Sequence, residues 1–211
     1  MARTKKAFDQ KRNELLTKIW GIFLCNGYEN TTLALIREEL SVPKGVFYHY
    51  FHSKEECADL CVDLYAALCA DHLRAQDLSG LSAEKKLMRR VLSGIQFFNE
   101  NKVQQAQINA PANAVFHQKL MIALTKRLAP LYSEVISEGA SERLFDTEYP
   151  LEAAQMLLTL SNFYLDSDLF QWEPEAMPDK IRAFSDAAER ILGAAKGTFD
   201  FIFNNVKGND L

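Results

Sequence analysis

Glycine and proline are scarce in this chain, at 9 and 6 of 211 residues, which argues against an all-β protein rich in tight turns and favours a nearly all-helical one. No apolar run approaches the twenty or so residues needed to cross a bilayer. A basic-then-apolar leader and a lipidation signal are also missing, so the expectation is a soluble, cytoplasmic protein with no membrane partner. Paired catalytic carboxylates, a glycine-rich phosphate loop, a His-Glu metal motif and a nucleophile elbow are all missing, which argues against a helical enzyme and for no metal and no cofactor. Four cysteines, Cys25, Cys57, Cys61 and Cys69, are too few for a disulfide framework and suit a reducing compartment. Cys57, Cys61 and Cys69 fall one and then two turns apart along one helix. That stripe reads either as a buried seam of small residues or, with less support, as a thiol sensor or soft-metal site.

What the chain does have is 48% apolar residues over a length with room for about two domains. Its charge is unevenly placed. The formal net charge is −4, yet residues 1–54 hold nine Lys and Arg against five acids, leaving −8 for the remainder. A basic end on an acidic body suits nucleic acid bound at the N-terminal end. Residues 1–9 read as a disordered basic arm. A first helix follows from about Gln10 to Asn26, with Leu15, Leu16, Ile19, Trp20, Phe23 and Leu24 as its buried stripe and Gly27 as its stop.

Residues 31–54, TTLALIREELSVPKGVFYHYFHSK, carry the densest signal. Thr31 or Thr32 can cap a short helix whose Leu33, Ile36 and Leu40 share one face. Ser41-Val42-Pro43 ends that helix, because proline disfavours helical geometry at the residue before it, and proline is at home in the first turn of the next. The second helix then places Phe47 and Phe51 inward and Lys44, Gly45, Val46, Tyr48, His49 and Tyr50 outward. Two tyrosines are unusual on a solvated face, but Tyr and Lys reach phosphates, glycine permits close approach, and Val can touch a thymine methyl. The pattern predicts a helix-turn-helix that binds double-stranded DNA. Thr31, Thr32 and Arg37 on the first helix, and Lys54 just beyond the second, complete the candidate DNA-binding set. Ser53 caps a fourth helix running to about Arg74.

Gly27-Tyr28, Thr31-Thr32, Ile36, Val42, Lys44-Gly45, Tyr48-His49-Tyr50-Phe51 and Ser53-Lys54-Glu55 match the order and spacing of the tetracycline-repressor (TetR) family signature, which the chain therefore resembles over about a quarter of its length. The chain departs from the family pattern at Arg37 and Leu40, where alanine is usual, at Ser41, where glycine is usual, and at Pro43, where Ser or Thr is usual. A serine forced to positive φ at position 41 costs on the order of 1 kcal/mol. The resemblance implies an all-α protein: an N-terminal three-helix domain containing the helix-turn-helix, joined to a helical ligand-binding and dimerisation domain. It divides the chain into 1–54 for DNA binding, 55–77 for a connecting helix, and 78–211 for effector binding and dimerisation. The connecting helix is, in the family, the lever by which a small molecule alters the spacing of two DNA-reading heads.

In the body, turn residues delimit helices at about 82–100, 112–139, 150–170 and 178–203, with a short one at 103–110. The helices at about 150–170 and 178–203 have more apolar residues than one buried face requires, which predicts a homodimer through both. Mixed polar and aromatic residues on the middle helices, Phe97, Gln104, Phe116, His117, Met121, Asn162 and Tyr164, form the candidate lining for a small-molecule effector of unidentified chemistry. The functional expectation is a one-component transcriptional regulator, a repressor released from a pseudo-palindromic operator by that effector. The alternative is a helical protein-binding adaptor that has lost specific DNA binding.

Overall fold

In the computed structural model, which describes residues 2–100 and 102–208, every regular element is helical. The α-helices are α1 (Ala2–Asn26), α2 (Leu33–Leu40), α3 (Lys44–Tyr50), α4 (Lys54–Arg74), α5 (Ala83–Asn99), α6 (Lys102–Ile108), α7 (Ala114–Ser141), α8 (Pro150–Phe163), α9 (Ser167–Phe170), α10 (Met177–Leu192) and α11 (Asp200–Gly208). Short 3₁₀ turns at Pro111–Asn113 and Pro174–Ala176 precede α7 and α10. No helix of the described residues is long and apolar enough to cross a membrane.

The chain forms two compact units, Met1–Leu68 with Asn101–Ala123, and Cys69–Glu100 with Leu124–Leu211. The first unit therefore recruits residues far outside the 1–54 assigned to DNA binding from the sequence. The reason is aromatic packing. Trp20 of α1 stacks on Tyr65 at 4.6 Å between ring centroids and lies 5.1 Å from Phe116, which is also 5.0 Å from Phe23. Around these rings Leu15, Leu16, Ile19, Phe23, Ile36, Phe47, Phe51, Cys57 and Cys61 are buried, so the stripe read on the first helix does face a core.

The predicted basic arm is instead the beginning of α1, which is helical from Ala2. Met1 and the side chain of Arg3 lie outside what the structure describes. Phe8 supplies the physical reason: once the helix extends this far, Phe8 falls one heptad before Leu15 and finds rings to pack on. α4 starts where expected, with the Glu56 N–H donating to Ser53 Oγ at 3.0 Å and Glu56 reaching back to the His52 N–H at 2.6 Å.

In the second unit, Leu87, Val135, Ile136, Phe145, Ala153, Ala154, Ile181, Phe184, Ala188, Leu192 and Phe199 form a continuous core. The Phe145 ring lies across Gly139 so closely that a Cβ there would come within 2.3 Å of it. The helix expected at 178–203 is two helices. Gly193 takes φ 59° and ends α10, with the Leu192 carbonyl accepting from the Asp146 N–H at 2.7 Å. The buried carboxylate of Glu189 then accepts from the Gly197 N–H at 2.6 Å and fixes the link that turns the chain into α11. The helix expected at 150–170 likewise stops at Phe163, and Asp166 caps the separate α9 by accepting from the Leu169 N–H at 2.8 Å.

α8 buries Ala153 and Ala154 and leaves Met156 and Leu160, one turn apart on the same face, exposed, with Leu151 exposed on another side. α10 buries Ile181, Phe184, Ala188 and Leu192. Beside that face runs a shallower stripe of Ala183, Ala187 and Ile191, while Arg182 and Arg190 pair with Asp179 and Asp186 on the third side, each at 2.9 Å.

Candidate nucleic-acid interface

The turn between α2 and α3 is built around Ser41. Its φ of 51° and ψ of 38° are left-handed, and its N–H donates to the Glu38 carbonyl at 2.9 Å while the Val42 N–H donates to Arg37 at 3.3 Å. Both bonds satisfy carbonyls that the end of α2 would leave open. Pro43 is the residue flanking α3 rather than its first helical residue, and its carbonyl accepts from Val46 and Phe47 at 3.0 Å each. Phe47 and Phe51 are wholly buried, 5.4 Å apart, as the spacing predicts.

With that face pinned, Lys44, Gly45, Val46, Tyr48 and His49 stand exposed, Val46 at 47% and Tyr48 at 40%. An apolar side chain and a tyrosine left this open on a seven-residue helix form a contact strip, not a core face. Gly45 belongs to it. A Cβ built there would meet nothing within 4 Å, so the protein's own packing gives no reason for a residue that weakens a helix.

Five candidate residues have structural duties of their own, of which only the cap at Thr32 was among those read from the sequence. Thr31 is 0% exposed and its hydroxyl donates to the Gly27 carbonyl at 2.7 Å, so it is core and cannot reach a phosphate. Thr32, not Thr31, caps α2, accepting from the Leu35 N–H at 3.2 Å. Arg37 is paired with Glu38 at 3.4 Å. Lys54 turns inward, donating to the Tyr28 carbonyl at 3.1 Å with its ammonium 4.3 Å from the Tyr28 ring centre. Tyr50 is half-buried, its ring stacked on Phe8 at 4.8 Å, so the outward strip ends at His49.

Two residues that hold this module were not singled out from the sequence. Phe8 packs edge-on to His49 at 5.2 Å as well as on Tyr50. Asn113 is almost fully buried. Its Oδ1 accepts from the Tyr28 N–H at 2.7 Å, and its Nδ2 donates to the Gln107 carbonyl at 3.0 Å and the Leu24 carbonyl at 3.5 Å. Gly27, at φ 81°, lies so near Ala112 that a Cβ would come within 2.6 Å of it, and the Glu29 N–H donates to the Ala112 carbonyl at 3.2 Å. Residues 112–113 thus clamp the loop that leads into α2. The available signal was the Ala110-Pro111 break, which marks a turn but gives no partner.

The candidate effector residues are divided between the two units. Gln104, Phe116, His117 and Met121 belong to the first unit, and Phe97, Asn162 and Tyr164 to the second. Phe116 is wholly buried among Trp20, Phe23 and Tyr28, so it is core. Met121 is buried too, and Gln104 accepts from Trp20 Nε1 at 3.3 Å. Asn162 Nδ2 donates to Thr125 Oγ1 at 3.5 Å, and Tyr164 accepts from Trp172 Nε1 through its carbonyl at 2.9 Å.

Burial pushes the thiols of Cys57 and Cys69 up to about 12 and raises Cys61 as well, with Glu56 adding to the shift at Cys57 and Cys57 to that at Cys61. Thiols held neutral in this way are poor nucleophiles and poor metal ligands, which favours the seam reading of the three. Cys25 alone is exposed. Among the described residues no group of His, Cys, Asp and Glu has the geometry to hold a metal ion.

Two family models match this chain: that of bacterial regulatory proteins of the tetR family over residues 15–61, and that of the tetracyclin repressor-like C-terminal domain over residues 96–187. The HTH-type transcriptional regulator YerO of Bacillus subtilis (strain 168) is 20% identical over 209 residues, spanning 96% of this chain and 71% of that protein. Among solved structures, the flavonoid-responsive regulator FrrA matches with a TM-score of 0.58 and 21% identity, over 86% of this chain and 96% of that one. A bacterial regulatory protein in the tetR family from Rhodococcus RHA1 matches with 0.57 and 18%, over 88% and 98%. NemR of E. coli in its reduced form matches with 0.55 and 20%, over 83% and 95%. At these identities the structural likenesses speak for the fold.

Proposed function

This chain belongs to the tetR family of bacterial regulatory proteins and is a DNA-binding regulator, and on that premise we propose that it acts as a homodimeric repressor released from its operator by a small molecule. The observation that carries the reading is the strip Lys44, Gly45, Val46, Tyr48 and His49, exposed on a helix whose opposite face is locked by Phe47 and Phe51. Two such helices, one from each protomer, would enter successive major grooves about 34 Å apart and bind a pseudo-palindrome. Lys44 and the Tyr48 hydroxyl supply phosphate contacts that fix register, and Val46 and His49 reach base edges. Thr32 at the cap of α2 and Arg37 within it would add backbone contacts.

The proposed dimer uses the exposed Met156 and Leu160 of α8 and the stripe Ala183, Ala187 and Ile191 of α10, whose two alanines permit close helix approach. α4 contributes residues to both compact units, so a ligand that displaces its C-terminal turns alters the seating of the head at its N-terminal end.

The test is a fluorescence titration of the full chain against pooled promoter fragments, including its own upstream region, at two salt concentrations. Tight binding of one dimer to one fragment, weakened by salt and by Lys44→Ala and Tyr48→Phe without loss of the dimer, is the expected result. An intact dimer that prefers no fragment would overturn the proposal in favour of a protein-binding adaptor.

A further inference from the structure

The interior of the second unit holds polar groups that the protein itself leaves unused. Arg90 of α5 is only 9% exposed and Ser93, one turn on, 6%. Arg90 Nε, Ser93 Oγ and the Nε2 of His72 are buried without a hydrogen-bond partner among the described residues. Buried polar groups are nearly always satisfied in native proteins, and three unmet ones on two packed helices form a concentrated exception. The guanidinium does have two other contacts: one terminal nitrogen donates to the Leu131 carbonyl, and the other faces Glu134 at 3.9 Å. Glu134 is largely in solvent, and at that separation it is a weak counter-ion for a buried cation.

The surroundings are aromatic. Arg90, Ser93 and Phe97 fall at i, i+3 and i+7 on α5, and the His72 ring lies 5.3 Å from that of Phe97. From α7, the Tyr132 hydroxyl approaches the Arg90 carbonyl at 3.4 Å. Burial, with a smaller effect of Cys69, raises the Tyr132 phenol above its ordinary value, so it remains a hydroxyl. A buried cation with an unused N–H, an unbonded hydroxyl and an imidazole beside an aromatic ring recognises a planar group bearing negative charge on acceptor oxygens.

We infer that Arg90, Ser93 and His72 form the anion-binding end of an effector site in the second unit, and that the effector is an aromatic or conjugated organic carboxylate seated against Phe97. This deepens the proposed regulation and rests on it. It also relocates the effector site from most of the residues picked out in the sequence, of which only Phe97 remains.

The test is calorimetric titration of the full chain, without DNA, with benzoate, cinnamate and 2-naphthoate, each compared with its primary amide. The expected result is that at least one carboxylate binds about tenfold or more tighter than its amide, and that Ser93→Ala and Arg90→Met each weaken it by about tenfold. Ser93→Ala is conservative enough to keep the fold if Arg90→Met does not, and a circular-dichroism melt checks both. No binding by any of the three acids, equal binding of acid and amide, or binding indifferent to both variants would each overturn the inference. The promoter titration is independent of this one. Carboxylate binding by a protein that prefers no DNA fragment would leave the site standing and remove the repressor reading, and DNA binding without carboxylate binding would do the reverse.

Discussion

The two compact units handle polar groups in opposite ways. In the first, the buried polar side chains Thr31 and Asn113 are bonded into the loop before α2, and the groups left over, Lys44, Tyr48 and His49, stand on the outside of α3. Among the described residues the exception there is Arg12 Nε, at the edge beside Phe8. In the second, Glu189 and Ser185 are bonded into the link before α11, while Arg90, Ser93 and His72 keep unused groups in the interior. Unused capacity on a surface suits a partner too large to enclose, such as a duplex. Unused capacity inside a core suits a ligand small enough to be surrounded.

Disrupting the satisfied side should cost most. Asn113→Ala leaves the Tyr28 N–H and two carbonyls without their partner, and the expected loss is about 3 kcal/mol in urea unfolding, with weaker DNA binding because the loop into α2 loosens. A loss below about 1 kcal/mol would mean that water replaces the side chain easily and that the first interior is not closed.

The buried thiols compare the two interiors through pH. Cys57 and Cys69 are raised from an ordinary 9.0 to about 12, so the unfolded chain releases those protons first. Stability from this source is complete below pH 9 and declines as pH rises toward 12. Chemical denaturation across that window should show the decline, and at pH 8 a thiol-labelling assay should find Cys25 reacting alone. Cys69 labelling ahead of Cys57 would indicate that solvent enters the second interior and not the first.

Gly45→Ala sharpens the idea that the strip on α3 serves something outside the chain. With nothing near the added methyl, helix propensity predicts about 1 kcal/mol of added stability, accompanied by a roughly tenfold loss of DNA affinity from obstructed approach. Stabilisation with unchanged DNA affinity would remove Gly45 from the interface. The smallest effect is expected at the turn. Ser41→Gly relieves the positive φ and should stabilise by about 0.5–1 kcal/mol, with DNA affinity unchanged.

Much of the DNA-reading module was legible because its determinants are local. The spacing of Ile36, Phe47 and Phe51, the proline after Ser41-Val42 and the cap at Ser53 each act within a few residues, and the structure has them where the pattern put them, with Pro43 just before α3 and not in its first turn. The packing of Tyr50 and Lys54 was not legible for the opposite reason: what they touch, Phe8 and Tyr28, lies more than twenty residues away along the chain. The break at Gly193 was readable as a helix stop. The apolar residues beyond it, Phe199 just before α11 and Ile202 within it, are buried in the same core.

By itself the sequence determined the all-helical class, the helix-turn-helix and which face of α3 turns outward, because hydrophobic periodicity and turn chemistry fix these over one or two helical turns. Only the tertiary structure decided that Thr31, Phe116 and Lys54 are structural, that residues 112–113 clamp the loop before α2, and that Arg90, Ser93 and His72 keep buried groups without partners. Whether a polar atom is satisfied depends on groups brought together from distant parts of the chain, and no local pattern encodes that.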